Sequence, residues 1–377
     1  MDISEERLRQ LIDAVGEADR EAMAEAAAHQ AALAKPPGSL GRLEALAVQL
    51  AGITGTVHPS LEHKTVLVFA ADNGVVKEGV ASAPQSVTLA QSLNLTRGKT
   101  GAAVLAAAFH CELKVIDVGI AADESVLAGS KVIPMKIAKG TRNIAEEAAM
   151  SREQAVQALL AGAEAAEAAV RDGAEVLGIG EMGIGNTTTS AAVLSVLTGK
   201  PIEAVTGRGA GITDEAYEKK LDVIRTAIRV NHPDPGDVIG VLAKVGGFDI
   251  AAMAGAFIGA AYLRTPVVID GLISVTAALA AYRLCPNALS AMIPSHRSAE
   301  PGYLAAAEAL SLKPLFDLEM RLGEGSGCPV AMMILDAACA VNDRMATFEE
   351  AGIDDSYLEE IRRIDAFTVR KNEGEKP

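Results

Sequence analysis

The chain has no tryptophan, and aromatic residues make up only 3% of its 377 residues, although half are hydrophobic. A core of this kind is packed by Ala, Val, Leu and Ile, which suits helices stacked closely on a parallel sheet. Basic residues are also scarce: 34 Lys and Arg stand against 49 Asp and Glu, a net charge of −15. That balance opposes sequence-independent binding to nucleic acid or to an anionic membrane. It admits a phosphorylated small molecule only where a few basic side chains and backbone N–H groups reverse the field. The four cysteines, Cys111, Cys285, Cys328 and Cys339, form no C-x-x-C and have no histidine at metal-ligand spacing. Buried, reduced thiols are therefore expected, and no metal site. No apolar stretch is long enough to span a bilayer, because the most apolar one, 250–281, is broken by Arg264, Pro266 and Asp270. The opening Met1-Asp2-Ile3-Ser4-Glu5-Glu6 is acidic, so no signal peptide is read there and a cytoplasmic protein is expected.

What the chain does have is rhythm. Short apolar runs such as Val66–Ala71, Leu113–Val118, Ala174–Ile179, Val267–Ile269 and Leu289–Ile293 alternate with segments of helical period. This predicts an α/β fold, a doubly wound, mainly parallel Rossmann-like sheet. Glu124–Ile137 reads as a short edge hairpin, and the charged tail from about Arg370 to Pro377 as frayed. Residues 4–33 are Ala/Glu/Gln-rich at helical period, and the N-terminal part contains no strand. One main domain with a small N-terminal helical appendage is expected.

The stretch Gly178–Ser190, Gly-Ile-Gly-Glu-Met-Gly-Ile-Gly-Asn-Thr-Thr-Thr-Ser, reads as strand, glycine turn and helix start. Asn186 and the threonines after it are N-cap types, and a helix N-terminus there would bind an anion. The stretch formally fits G-x-G-x-x-G, with Glu203 near the position of a ribose-binding acid. An NAD-dependent dehydrogenase is therefore an alternative, as is a non-catalytic nucleotide-binding regulator on the same fold. Glu181 argues against a pyrophosphate turn, since a carboxylate would repel the phosphates, and a P-loop needs a lysine that this turn lacks. A second glutamate, Glu324, sits among glycines in Arg321-Leu322-Gly323-Glu324-Gly325-Ser326-Gly327. Glycine on both sides leaves room for a ligand beside the acid, which makes the two glutamates candidates for proton transfer. Asp72, Asp249 and Asp270 end apolar runs or open helices and suit loop orientation or ribose hydroxyls better than a metal. Arg208, Lys220, Arg297, His296 and Ser298 occupy glycine-rich or turn-like stretches.

Taken together, KPPGSLGRLE (35–44), ADNGVVKEGV (71–80), GIGNTT (183–188), GRGAGI (207–212), GGFDIAAMAGA (246–256), IDG (269–271), SHRSAEPGY (295–303) and RLGEGSG (321–327) closely resemble the nicotinate-nucleotide–dimethylbenzimidazole phosphoribosyltransferases. The resemblance implies transfer of the 5-phosphoribosyl group from nicotinate mononucleotide to 5,6-dimethylbenzimidazole, in making the lower-ligand nucleotide of cobalamin. It implies a six-stranded parallel Rossmann-like catalytic domain, over 61–344, a small helical domain from both chain ends, 1–60 plus 345–377, and a homodimer. Glu324 would be the general base, with the Glu181 carboxylate in support. Phosphate and ribose contacts would fall on Gly183, Gly185, Asn186, Thr187 and Thr188, on Lys220, and on Arg208 and Gly209. Ser82 and Gln91 would line the aromatic-base pocket, and Asp249, Asp270 and Ser298 are further candidates for substrate contact. No cofactor is implied; no pyrophosphate leaves, so no Mg²⁺ is needed. The partners are the two small-molecule substrates alone.

Overall fold

A computed structural model describes residues 3–359; the expected frayed tail, Arg370–Pro377, lies outside them. The described chain divides into two compact units, one of Met1–Ala18 with Glu62–Met333 and the other of Asp19–Leu61 with Ile334–Pro377. The helix Ile3–Asp13 thus goes with the larger unit, where Arg7 pairs with Glu164 at 2.8 Å.

The larger unit holds six strands: β1 (Lys64–Ala71), β2 (Cys111–Gly119), β3 (Ile133–Pro134), β4 (Val176–Met182), β5 (Val267–Ile269) and β6 (Met292–Pro294). They form one sheet in the order β3-β2-β1-β4-β5-β6, every pairing parallel. The order reverses between β1 and β4, the topological switch point beside which open α/β sheets bind ligands at their C-terminal edge. The expected hairpin at 124–137 is corrected. Glu124–Leu127 is a helical turn, and β3 pairs parallel to β2 through Ile116 and Ile133. The run read as a strand from Leu289 is instead a 3₁₀ helix, Pro286–Ala291, begun by its proline, and β6 starts only at Met292.

The scarcity of aromatics is matched by backbone-close packing. A Cβ on Gly162 would fall 2.6 Å from the Ala252 carbonyl carbon, and one on Gly255 2.6 Å from that of Leu159. The helices Arg152–Arg171 and Phe248–Tyr262 therefore touch main chain to main chain. The second of these is buried along nearly its whole length and packs on β1, β2 and β4.

In the smaller unit the helices Arg20–Ala32 and Arg42–Thr54 pack through Ala22, Ala26 and Ala51. Asp19 caps the first through Glu21 N–H and Ala22 N–H. The KPPGSLGRLE segment closes on itself: the buried Lys35 ammonium lies 2.9 Å from Glu44 Oε1, which also accepts from Leu40 N–H.

Candidate active site

Strand β4 runs through Met182, so Gly178, Gly180 and Glu181 belong to the strand and not to the turn after it. Their glycines serve a neighbour, not a phosphate. A Cβ on Gly178 would lie 2.6 Å from Cys328 Cβ, and one on Gly180 would lie 2.5 Å from Gly325 Cα. Bare backbone on β4 is what lets the segment 323–328 lie against the sheet, and no room is left there for a dinucleotide pyrophosphate. The true turn comes next: Gly185 (φ +92°) opens the helix Asn186–Thr198.

The C-terminal ends of β4, β5 and β6 frame a cavity of about 160 Å³. Ser82, Glu181, Gly183, Gly185, Asn186, Thr187, Arg208, Gly209, Asp270 and Ser298 line it, so most of the residues singled out from the sequence converge here. Gln91, Thr188, Lys220, Asp249 and Glu324 are not among the lining residues. Thr188 is fully buried. The Lys220 ammonium donates to Thr187 Oγ1 (2.9 Å) and to the Gly207 carbonyl (3.0 Å), which braces the wall from behind. Burial pulls Lys220 down to about 8, opposed by the charge of Glu300. Arg208 donates to the Ile212 carbonyl, pairs with Asp214 and sits over the Tyr217 ring.

Three successive residues, Gly323 (φ +80°), Glu324 (φ +61°) and Gly325 (φ +81°), are left-handed. Only glycine takes that conformation freely, so Glu324 holds it at a cost of about 1 kcal/mol. The turn is tied from two sides. Asp270, at the end of β5, accepts from Gly325 N–H (3.0 Å) and Gly327 N–H (2.7 Å), and Glu181 Oε1 accepts from Glu324 N–H (3.4 Å). The Glu324 carboxylate accepts from Gln91 Nε2 and Ala102 N–H, both at 3.4 Å. These bonds are long, so they yield readily to a better partner.

Electrostatics follow from burial. Glu181 is pushed up to about 8 by desolvation, against a hydrogen bond from Asn186 and with help from the Asp249 charge. Asp249 rises to about 6, chiefly by burial, and burial also raises Glu324 and Asp270. His296 is buried with Nδ1 3.0 Å from Ser295 Oγ and 3.9 Å from Asp270. Among the described residues no group of three His, Cys, Asp or Glu side chains is placed to hold a metal. All four cysteines are buried and none is in a disulfide.

Sequence reasoning passed over two cavity residues, Glu300 and Arg321. Glu300 is 9% exposed and its Oε2 has no hydrogen-bond partner. It is the N-cap of the helix Pro301–Ala309. Its tight approach to Gly207, 2.7 Å from carboxyl carbon to a Cβ built there, has no local signature. Arg321 sits in the RLGEGSG segment, where attention went to the glutamate.

Residues 15–353 match the phosphoribosyltransferase family DBI_PRT. The chain is 50% identical over 337 residues to the nicotinate-nucleotide–dimethylbenzimidazole phosphoribosyltransferase of Clostridium perfringens (strain 13 / Type A), covering 89% of this chain and 92% of that one. It is 48% identical over 347 residues to the enzyme of the same name from Alkaliphilus metalliredigens (strain QYMF), covering 92% and 99%. Among solved structures, CobT from Thermus thermophilus superposes with a TM-score of 0.85 at 40% identity, covering 89% of this chain and 100% of that one.

Proposed function

The chain belongs to the phosphoribosyltransferase family DBI_PRT, and on that premise we propose that it transfers the 5-phosphoribosyl group of nicotinate mononucleotide to 5,6-dimethylbenzimidazole. The products are α-ribazole 5′-phosphate, for the lower ligand of cobalamin, and nicotinate. The observation that carries this reading is the meeting of two buried acids, Glu181 and Glu324, through one N–H at the edge of a glycine-walled cavity.

In the reaction one ring nitrogen of the benzimidazole attacks C1′ of the ribose. The C1′–N bond to nicotinate breaks, and its electron pair returns to the pyridine nitrogen and cancels the positive charge there. The proton on the other benzimidazole nitrogen goes to the Glu324 carboxylate, whose two long hydrogen bonds are exchanged for the substrate N–H. Such proton removal supplies about 10²–10⁴ in rate, or ~3–5 kcal/mol. The C1′ centre becomes cationic on the way, and Glu181 in its ionised form stabilises it. Gly183, Gly185, Asn186 and Thr187 take the phosphate and ribose at the helix N-terminus, with Gly209 and Lys220 against Thr187 and Arg208 next to Gly209 in the cavity lining. Thr188 supports that turn, Ser298 and Asp270 face the ribose, and Ser82 and Gln91 flank the heterocycle.

Buried reduced thiols support action in the cytoplasm, and among the described residues no helix is long and apolar enough to cross a membrane. The exposed apolar side chains Val104, Leu318 and Leu322 favour a homodimer. Incubation with nicotinate mononucleotide and dimethylbenzimidazole, followed by chromatography for nicotinate and ribazole phosphate, tests the reaction. Absence of both products with folded protein would remove it.

A further inference from the structure

Asp249 stands at the first turn of the helix Phe248–Tyr262, fully buried and not among the residues lining the cavity. The space it fills is reserved for it. A Cβ on Gly183 would lie 2.7 Å from Asp249 Oδ2 and 3.1 Å from Asn73 Nδ2, so a larger residue at Gly183 would displace this carboxyl. Asp249 Oδ2 accepts from Asn186 Nδ2 (3.1 Å) and Asn73 Nδ2 (3.4 Å), and Oδ1 from Ile250 N–H (3.0 Å). The same Asn186 nitrogen donates to Glu181 Oε2 at 2.5 Å. One carboxamide NH₂ has two hydrogens, and here each is committed to a different carboxyl group. Glu181 Oε1 is held in turn by Glu324 N–H, so both oxygens of the cavity-lining acid are fixed.

We propose that Asp249 is a positioning residue for Glu181, acting through the Asn186 carboxamide and touching neither substrate. The assignment rests on the reading of the cavity as the phosphoribosyl site. Its logic is geometric first. Asn186 could aim its amide either way about its terminal torsion, and only an acceptor behind it turns the NH₂ side toward both acids. Its second effect is electrostatic. Glu181 is faced by Asp249 from the helix Phe248–Tyr262, by Asp270 from the end of β5 and by Glu324 from the left-handed turn, with Arg208 and Arg321 on the cavity wall. Of the charged groups, Asp249 contributes most to raising Glu181. It therefore holds Glu181 in place and sets the pH at which its charge becomes available at C1′.

Two variants separate the effects. Asp249→Asn keeps an acceptor oxygen for Asn186 but removes the charge, and Asp249→Ala removes both. Nicotinate release is followed over a pH series for the wild type, both variants and Glu181→Gln, whose profile identifies the limb belonging to Glu181. In Asp249→Asn that limb moves to lower pH, with KM for nicotinate mononucleotide within about 3-fold of wild type; in Asp249→Ala kcat falls at least about 10-fold at every pH. A limb that stays in place in Asp249→Asn overturns the proposal, as does a raised KM with kcat intact, which would make Asp249 a substrate contact. Should Asp249→Ala fold poorly, ¹³C NMR of glutamate carboxyls in the wild type and in the isosteric Asp249→Asn decides, with Glu181 assigned by its absence in Glu181→Gln. A Glu181 midpoint lower in Asp249→Asn than in the wild type supports the relay; an unchanged midpoint leaves burial alone to raise Glu181 and overturns it. That measurement needs no turnover, so a wild type that releases no nicotinate removes the functional reading and leaves the relay to be judged on its own.

Discussion

The backbone N–H of Glu324 donates to the carboxyl group of Glu181 across 3.4 Å, joining two residues 143 positions apart in the chain. One stands on β4 and the other on a left-handed turn. A carboxyl group that accepts from the main chain of the other acid's residue reports any shift of that turn. A movement of the turn therefore changes the hydrogen bonding of Glu181 as well as the place of Glu324.

Glu324→Gln tests the base directly. Glutamine keeps the shape and can still meet Gln91 and the Ala102 N–H, but it cannot take a proton. We expect kcat to fall at least about 10²-fold while both KM values stay within a few-fold. Steady-state kinetics with each substrate varied will show this, and near-normal kcat would reassign the base.

Glu181→Gln tests the buried proton through stability. The folded protein holds that proton up to about 8, whereas the unfolded chain releases it near pH 4.3, at about the ordinary glutamate value. Between those limits the native state binds more protons, so this group's stabilisation is complete at low pH and is lost as pH rises toward 8. Asp249, at about 6, adds to the loss in the lower part of the window. Thermal melts from about pH 5 to 8 should show a falling Tm in the wild type and a shallower fall in Glu181→Gln. Parallel curves would mean that Glu181 is ionised in the folded protein at neutral pH.

Much of this architecture was legible, and the failures share one cause. The strands β1, β2 and β5 announce themselves as apolar runs, and the helix start at Asn186 is marked by Gly185 and the threonines. Gly178 and Gly180 were misread because a glycine inside a strand looks like a glycine in a turn until its neighbour is known, and that neighbour is the segment 323–328. β3 reads as part of an edge hairpin for a related reason: two edge residues paired parallel to β2 leave no local pattern that sets their direction. The glutamate pair could be picked out from the glycines around each acid. Asn186 as a bridge between Glu181 and Asp249 could not, because it depends on three segments meeting.

Lys220 offers a binding test with its own pH signature. Its ammonium, lowered to about 8 by burial, braces Thr187 and the Gly207 carbonyl at the phosphate wall. The substrate phosphate, whose second ionisation lies at about 6, is fully charged above neutrality and adds no titration there; Glu181 ionises in the same range, so the comparison is made in a Glu181→Gln background, where loss of the lysine charge is felt alone. KM for nicotinate mononucleotide should rise as pH passes about 8, and Lys220→Ala should raise it at least about 10-fold at pH 7 and flatten that dependence. An unchanged KM in Lys220→Ala would reduce Lys220 to a structural brace.

Gly180→Ala and Gly178→Ala together test whether β4 sets the position of the catalytic turn. Both put a methyl group where there is no space, so both should destabilise by about 1–3 kcal/mol, the usual cost of overpacking. They differ in what they push. The Gly178 methyl meets Cys328 Cβ at 2.6 Å, which moves with its helix, Gly327–Arg344, and the flexible end of Met332, both beyond the turn that carries the acid. The Gly180 methyl meets the Glu324 carbonyl carbon at 2.8 Å and Gly325 Cα at 2.5 Å, main chain that can only move as a unit with the acid it carries. A displacement of that size costs about 10²-fold in rate when the moved group must meet its substrate in line. Tm should therefore drop comparably in the two variants, while kcat collapses only in Gly180→Ala. Equal kcat values would mean that the turn finds its place without the sheet.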